Sequence, residues 1–320
     1  MIPLSETAYP EQTISHQPEL WTVPQTWSEL RPAKVNWLTA FVQSAARLCA
    51  PSAVLRFFLE LDLNDRLLCR FGFVLAALVP VFALCGVLNH TALQASPWIK
   101  PIKFSISFVT FVWTVSLILE NLRIPAWQRV AARWTVVTSV TVEMLCLAAQ
   151  AWRGALPHTG ANLADALISQ GTTLMVSVNT AIIVWIMVLF CGKREWTGLS
   201  DRAMVAAIRC GIVIFLVGNA VGGYMLARGS HTVGAADGGP GLPFLNWSTI
   251  AGDLRIAHFI GIHGIQIVPL FALVLWQMTP RPRLKRRVMA VYTVGAMVLC
   301  GMTITFVQAA LGHPLLPILR

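Results

Sequence analysis

The sequence predicts an all-α fold: a polytopic membrane helical bundle of about seven transmembrane helices, N-terminus cytoplasmic and C-terminus outside. Three observations predict it. First, of 320 residues 56% are hydrophobic and only 12% charged, about half the ~25% charge content of an average soluble domain. That density cannot cover a water-soluble body of this size, and it excludes a disordered chain for the same reason. Second, the mean hydropathy of +0.66 is gathered into long apolar runs of the length a spanning helix needs, about 20 residues. They do not alternate in polarity, which excludes the strands of a membrane barrel. Third, lysine and arginine segregate to alternate span ends.

The elements follow in order. Residues 1–34 carry five prolines and several glutamates and read as a flexible cytoplasmic tail. No charged stretch precedes an apolar one there, so a cleavable signal peptide is not expected. Residues 35–65 form an amphipathic region. Trp37, Leu38, Phe41, Val42, Ala45 and Leu48 recur at helical spacing before Pro51, which places a helix in the inner interface or against the cytoplasmic helix ends. Residues 66–320 form the transmembrane domain, with spans at 71–88, 104–119, 135–152, 172–190, 203–226, 256–278 and 288–311. Thirteen cations fall on one side: Arg66, Arg70, Arg123, Arg129, Arg133, Lys193, Arg194, Arg202, Arg281, Arg283, Lys285, Arg286 and Arg287. The other side has six: Lys100, Lys103, Arg153, Arg228, Arg255 and Arg320. The positive-inside rule makes the first side cytoplasmic. Trp98, Trp152 and Trp247 then fall at the outer level, and Trp134, Trp196 and Trp276 at the inner one. The net charge of +10 belongs to this asymmetry and does not indicate a nucleic-acid partner. The seven cysteines stand singly and read as small buried hydrophobes.

Candidate chemistry lies toward the outer face. His90, His158, His231, His258, His263 and His313 all fall at or near it, and imidazole is both a common metal ligand and a proton carrier. His258 and His263 would point about 140° apart on one continuous helix, so they are not the i, i+4 pair of an H-E-x-x-H zinc site. Ser139, Glu143, Cys146, Gln150 and Arg153 form one helical stripe from mid-membrane outward. Gln266 follows His263 by one turn, and Asp253 and Arg255 precede the same helix. Asn179 and Asn219 read as interhelical hydrogen bonds. Lys100, Lys103, Arg153 and Arg255 put positive charge against the prevailing trend. The glycine-rich loop 229–248 is either a lid or a flexible connection. Gly218 and Gly222 are spaced for close helix packing. The last span lacks both a lysine for a retinal Schiff base and an H-x-x-x-H pair.

Three functional readings stay open. In the first, a periplasm-facing site holds a transition metal or haem for redox or metal-dependent enzyme chemistry. His158, His258 and His263 would be ligands, Glu143 and Asp253 catalytic, and Lys100, Lys103, Gln150, Arg153, Arg255 and Gln266 cofactor-binding. In the second, the same cavity serves a transporter or receptor for a small anionic or amphipathic solute, with Glu143 coupling protons. In the third, the polar residues only hold helices together. The lipid bilayer is the partner common to all three.

The segments WIKPIKFSISF, EMLCLAAQAWRG and GDLRIAHFIGIHGIQIVPL resemble parts of uncharacterised polytopic membrane proteins of bacteria, in patches across 97–275. The resemblance implies a multi-pass protein of the cell inner membrane. It implies no role for any residue.

Overall fold

The structure is a computed structural model and describes residues 37–89, 96–154, 163–192, 202–278 and 284–316. The expected tail 1–34 lies outside them. The described residues form ten helices and one two-stranded ribbon. Six helices are long and apolar enough to cross a membrane, and the number is seven if the bent pair Arg255–Ile262 and Gly264–Met278 crosses as one span. The fold is therefore the expected all-α polytopic bundle.

The amphipathic stretch forms α1 (Trp37–Leu48). It packs along α9 (Gly264–Met278), with Phe41 against Phe271 at 6.0 Å. A second short helix, α2 (Pro51–Asn64), starts with proline in its first turn, where the missing N–H costs nothing. It turns back antiparallel on α3 (Arg66–Leu88). Phe58 packs on Phe73 and, edge-on at 4.7 Å, on Trp113 of α4 (Ile99–Glu120). Trp113 donates from Nε1 to the Cys69 carbonyl at 3.2 Å, and its ring occupies the space a side chain on Gly72 would need.

The Asp65 side chain caps α3, accepting from the Leu68 amide at 3.2 Å. It also takes Arg133 of α5 (Ala126–Trp152) at 2.7 Å. Arg129 donates to the carbonyls of Leu119 and Leu122 at 2.6 and 2.8 Å, and Arg209 of α7 (Arg202–Arg228) donates to Phe190 at the end of α6 (Leu163–Cys191). Arg129, counted from sequence as a marker of one membrane face, and Arg209, which was not, thus both neutralise helix C-termini.

Helices α3 to α6 pack in chain order. The central helix is α7: 61% of its apolar window is buried, against 22% for α3, α6 and α10 (Leu284–Ala310). Against it lie α10, α9 and α8 (Arg255–Ile262). Close approach explains the small residues here. A Cβ on Gly218 would lie 2.7 Å from the Gly261 Cα, and one on Gly222 would lie 2.8 Å from the His258 ring.

Two expectations are corrected. The sixth span is not one continuous helix: α8 and α9 meet at a 45° bend, with His263 capping the C-terminus of α8. Glycine is required at 264, where α9 begins, because the Ile214 side chain stands where a Cβ would be. The 229–248 loop is neither an open lid nor a plain connection. Strands β1 (Thr232–Val233) and β2 (Gly252–Asp253) pair antiparallel, Gly241 bridges Ser248, and Gly252 seats on the backbone of Ala309. Smaller departures concern Trp98 and the cysteines. Trp98 is buried against Phe82 rather than standing as an interfacial anchor, and Cys49, Cys191 and Cys300 are exposed.

Candidate functional site

The residues singled out from the sequence separate into three groups. The first is a buried polar junction between α5 and α6. Glu143 is 1% exposed and Asn179 6%. The Asn179 amide donates to Glu143 Oε1 at 2.9 Å, and its carbonyl accepts from Ser139 Oγ at 2.7 Å. Ser139 and Glu143 are one turn apart on α5, so one amide from α6 reaches both. Cys146 continues the stripe at the contact with Gly171. Gln150 is half-buried one turn further, and Arg153 is exposed at the C-cap of α5. Arg153 lies ten residues, about 15 Å along the axis, from Glu143. Glu143 meets the Asn179 amide, and Arg153 stands too far along the helix to reach it.

The second group lies at the α8–α9 bend. The His258 ring places Nδ1 2.7 Å from the Gly218 carbonyl. A carbonyl only accepts, so Nδ1 carries the hydrogen. His263 packs edge-on against Phe259 at 4.5 Å and lies close enough to His258 and Gln266 to interact with both. Gln266 Oε1 is buried without a hydrogen-bond partner. Both histidines precede the bend, five residues apart along α8 and its C-cap.

The third group staples the ordered loop to the bundle. Asp253 is 1% exposed and takes Arg255 through Nε–Oδ1 at 2.9 Å and Nη2–Oδ2 at 2.6 Å. It also accepts the Ser248 and Arg255 amides at 2.8 and 3.0 Å. Arg255 donates further to the Asn246 carbonyl, and Lys103 Nζ to the Leu245 carbonyl at 3.2 Å. Phe244 and Asn246 have φ of 63° and 56°, a left-handed backbone costing about 1–3 kcal/mol at such residues. The two cations hold the carbonyls of this strained turn. Lys100 lies 5.9 Å from the Phe104 ring centre.

Of the remaining histidines, His158, assigned as a metal ligand, lies outside the described residues, as does His90. His313 is exposed. His231 Nδ1 pairs with Asp237 at 3.3 Å. Partial burial opposes ionisation of Asp237. Hydrogen bonds from Thr232 and His231, together with the His231 ring, outweigh it and hold the carboxyl below the usual carboxylate range. The hydrogen bond from Arg70 likewise holds Asp62 of α2 low.

Among the described residues no three His, Cys, Asp or Glu side chains converge as a metal site. His258 and His263 gain no third ligand there, and Glu143 and Asp253 are committed to separate networks.

Sequence reasoning missed the basic end of the bundle. Asp65 is 1% exposed and pairs with Arg133. Glu120 sits beside Asn64, Arg129 and Arg133, with Oε1 buried and unpartnered. The available signal was the isolated acid ending the second span; the arginines beside it were read only as topology markers.

No protein-family model matches the chain, and neither a curated protein nor a solved structure matches it.

Proposed function

We propose that this chain is a proton-coupled transporter of a small anionic or amphipathic solute. We place it in a bacterial inner membrane with its basic end cytoplasmic. Glu143 is the proton-exchange site in this reading, and the α8–α9 bend is the element that moves. One observation carries the proposal. Glu143 is buried in the middle of a spanning helix, and its partner among the described residues is the neutral amide of Asn179.

A helix contact needs no carboxyl; two amides would serve it. An ionisable group within a span costs about 2.5–3.5 kcal/mol on insertion scales, and such groups mark ion and proton paths. The bend at His263 adds support. Interrupted spans are the usual location of coupling and substrate sites in transporters, and Gln266, with its Oε1 buried, lies against His263 at this break. Lys100, near the start of α4, supplies positive charge for an anionic solute.

The test is infrared difference spectroscopy on reconstituted protein across a pH step. Wild type should show a carboxylic-acid band that is lost in Glu143→Gln and displaced in Asn179→Leu. Vesicles with a trapped pH indicator should lose proton movement with the same Glu143→Gln variant. An unchanged difference spectrum in that variant, with only its melting temperature altered, would leave the junction a structural contact and end the proposal.

A further inference from the structure

The groove between α7 and α10 lies apart from the Glu143, His258 and Asp253 groups, and of its lining residues Arg209 binds another helix, through the Phe190 carbonyl. It encloses about 280 Å³ and is lined by apolar side chains except at Arg209 and Tyr292. Val213, Tyr292 and Leu299 on its rim are 43%, 50% and 36% exposed. On spanning helices such a surface faces lipid, not water.

Its polarity is ordered along both walls. On α7, Arg202, Arg209 and Val213 are spaced i, i+7, i+11, within about 20° of one line along the helix. On α10, Lys285, Tyr292 and Ala296 repeat the same spacing. Both helices begin at the basic end of the bundle and pack on one another. Each wall therefore presents a cation at the mouth, a polar group about 10 Å in, and apolar surface beyond. Arg202, Lys285 and Arg286 are exposed, and neither helix has an acid in its first turn. Arg209 has its guanidinium on the Phe190 carbonyl, so it contributes charge while holding α6. The floor is shallow because Gly295 meets Cys210 there: a Cβ on this glycine would be 3.4 Å from the cysteine side chain.

We propose that this groove binds one anionic phospholipid, with its phosphate at Arg202 and Lys285 and an acyl chain along Val213, Ala296 and Leu299. Basic pockets between spanning helices on the cytoplasmic side recognise anionic headgroups in this way. Charge complementarity selects the lipid class, and the groove supplies a place for the chain that a flat basic surface lacks. The inference does not depend on proton coupling at Glu143.

The experiment uses the full chain in detergent, titrated with phosphatidylglycerol, with phosphatidylcholine of the same chains, and with inorganic phosphate. Bound lipid is counted by native mass spectrometry. Phosphatidylglycerol should bind at one copy and in preference to phosphatidylcholine. Removing both mouth cations with Arg202→Gln and Lys285→Gln should reduce that preference, by about fivefold per cation. Ala296→Phe fills an exposed position in the groove and should expel the chain with the mouth intact. Melting of the lipid-free variants controls for folding, and the charge variants lie on exposed side chains. Equal retention of both lipids, or a phosphatidylglycerol preference that survives the mouth variants and Ala296→Phe, would overturn the proposal. So would inorganic phosphate competing as well as the lipid, because the chain would then contribute nothing.

Discussion

Arg255 grips Asp253 two residues before it through two parallel hydrogen bonds, Nε to Oδ1 at 2.9 Å and Nη2 to Oδ2 at 2.6 Å. The pair closes the base of the 229–253 loop. From there Arg255 extends to the Asn246 carbonyl and locks a turn whose backbone is strained at Phe244 and Asn246. The two residues read from sequence as a catalytic acid and an anion clamp spend their charges on each other.

Breaking this pair from either side should therefore loosen the loop more than the bundle. The Asp253 side chain is fully buried and that of Arg255 28% exposed. Asp253→Ala should cost about 3 kcal/mol, the lower end for a broken buried pair, since Arg255 retains access to water. Arg255→Lys should also destabilise, because an ammonium cannot make both bonds at once. Hydrogen exchange is the measurement: amides at 242–253 should lose protection while those of α3 to α6 keep it. Uniform loss across the chain would contradict the assignment.

The same loop should carry an acid sensitivity. Asp237 accepts from the Thr232 and His231 amides at 2.9 and 3.2 Å and from Ser230 Oγ at 3.1 Å. Its carboxyl is held below the usual carboxylate range. A carboxyl depressed in the folded state contributes stability at pH values above its unfolded value, about 3.9. That contribution falls away as pH drops through the folded value. Protection of the His231 and Thr232 amides should decline below about pH 4. Asp237→Asn should lower the protection at neutral pH and flatten the profile. An unaltered profile in that variant would assign the sensitivity elsewhere.

Two glycines five residues apart on α7 should respond oppositely to alanine. At Gly218 a Cβ would sit 2.7 Å from the Gly261 Cα, a backbone atom that cannot swing aside. Gly218→Ala should separate α7 from α8 at a cost of about 1–3 kcal/mol. At Gly223 nothing lies within 4 Å, and alanine there should stabilise the helix by about 0.5–1 kcal/mol. Thermal melting of the two variants decides. Equal effects would mean that the α7–α8 contact is not as tight as described.

Much of the fold was legible because spanning helices are written locally. Each run of apolar residues satisfies its own backbone, so length and hydropathy place it without knowledge of its neighbours. The small-residue signal at Gly218 and Gly222 was legible for the same reason. What the glycines face was not: the His258 ring lies over Gly222, and Gly261 of α8 over Gly218. The break at His263 was passed over because 256–278 is long and apolar enough to read as one span, and the close approach of Gly264 to Ile214 shows only in the packing. The helix α2 was passed over as part of one amphipathic region.

Composition and periodicity by themselves determined that the chain is a polytopic helical bundle, where its spans lie, and which polar residues stand inside them. Only the tertiary structure decided their partners. Glu143 went to Asn179, Asp253 to Arg255, and Lys103 to a loop carbonyl 142 residues away. The reason is physical: a helix turns a side chain to one face by its own geometry, but which neighbour occupies that face depends on long-range packing. In a low-dielectric interior, the nearest group able to satisfy a hydrogen bond takes the partner.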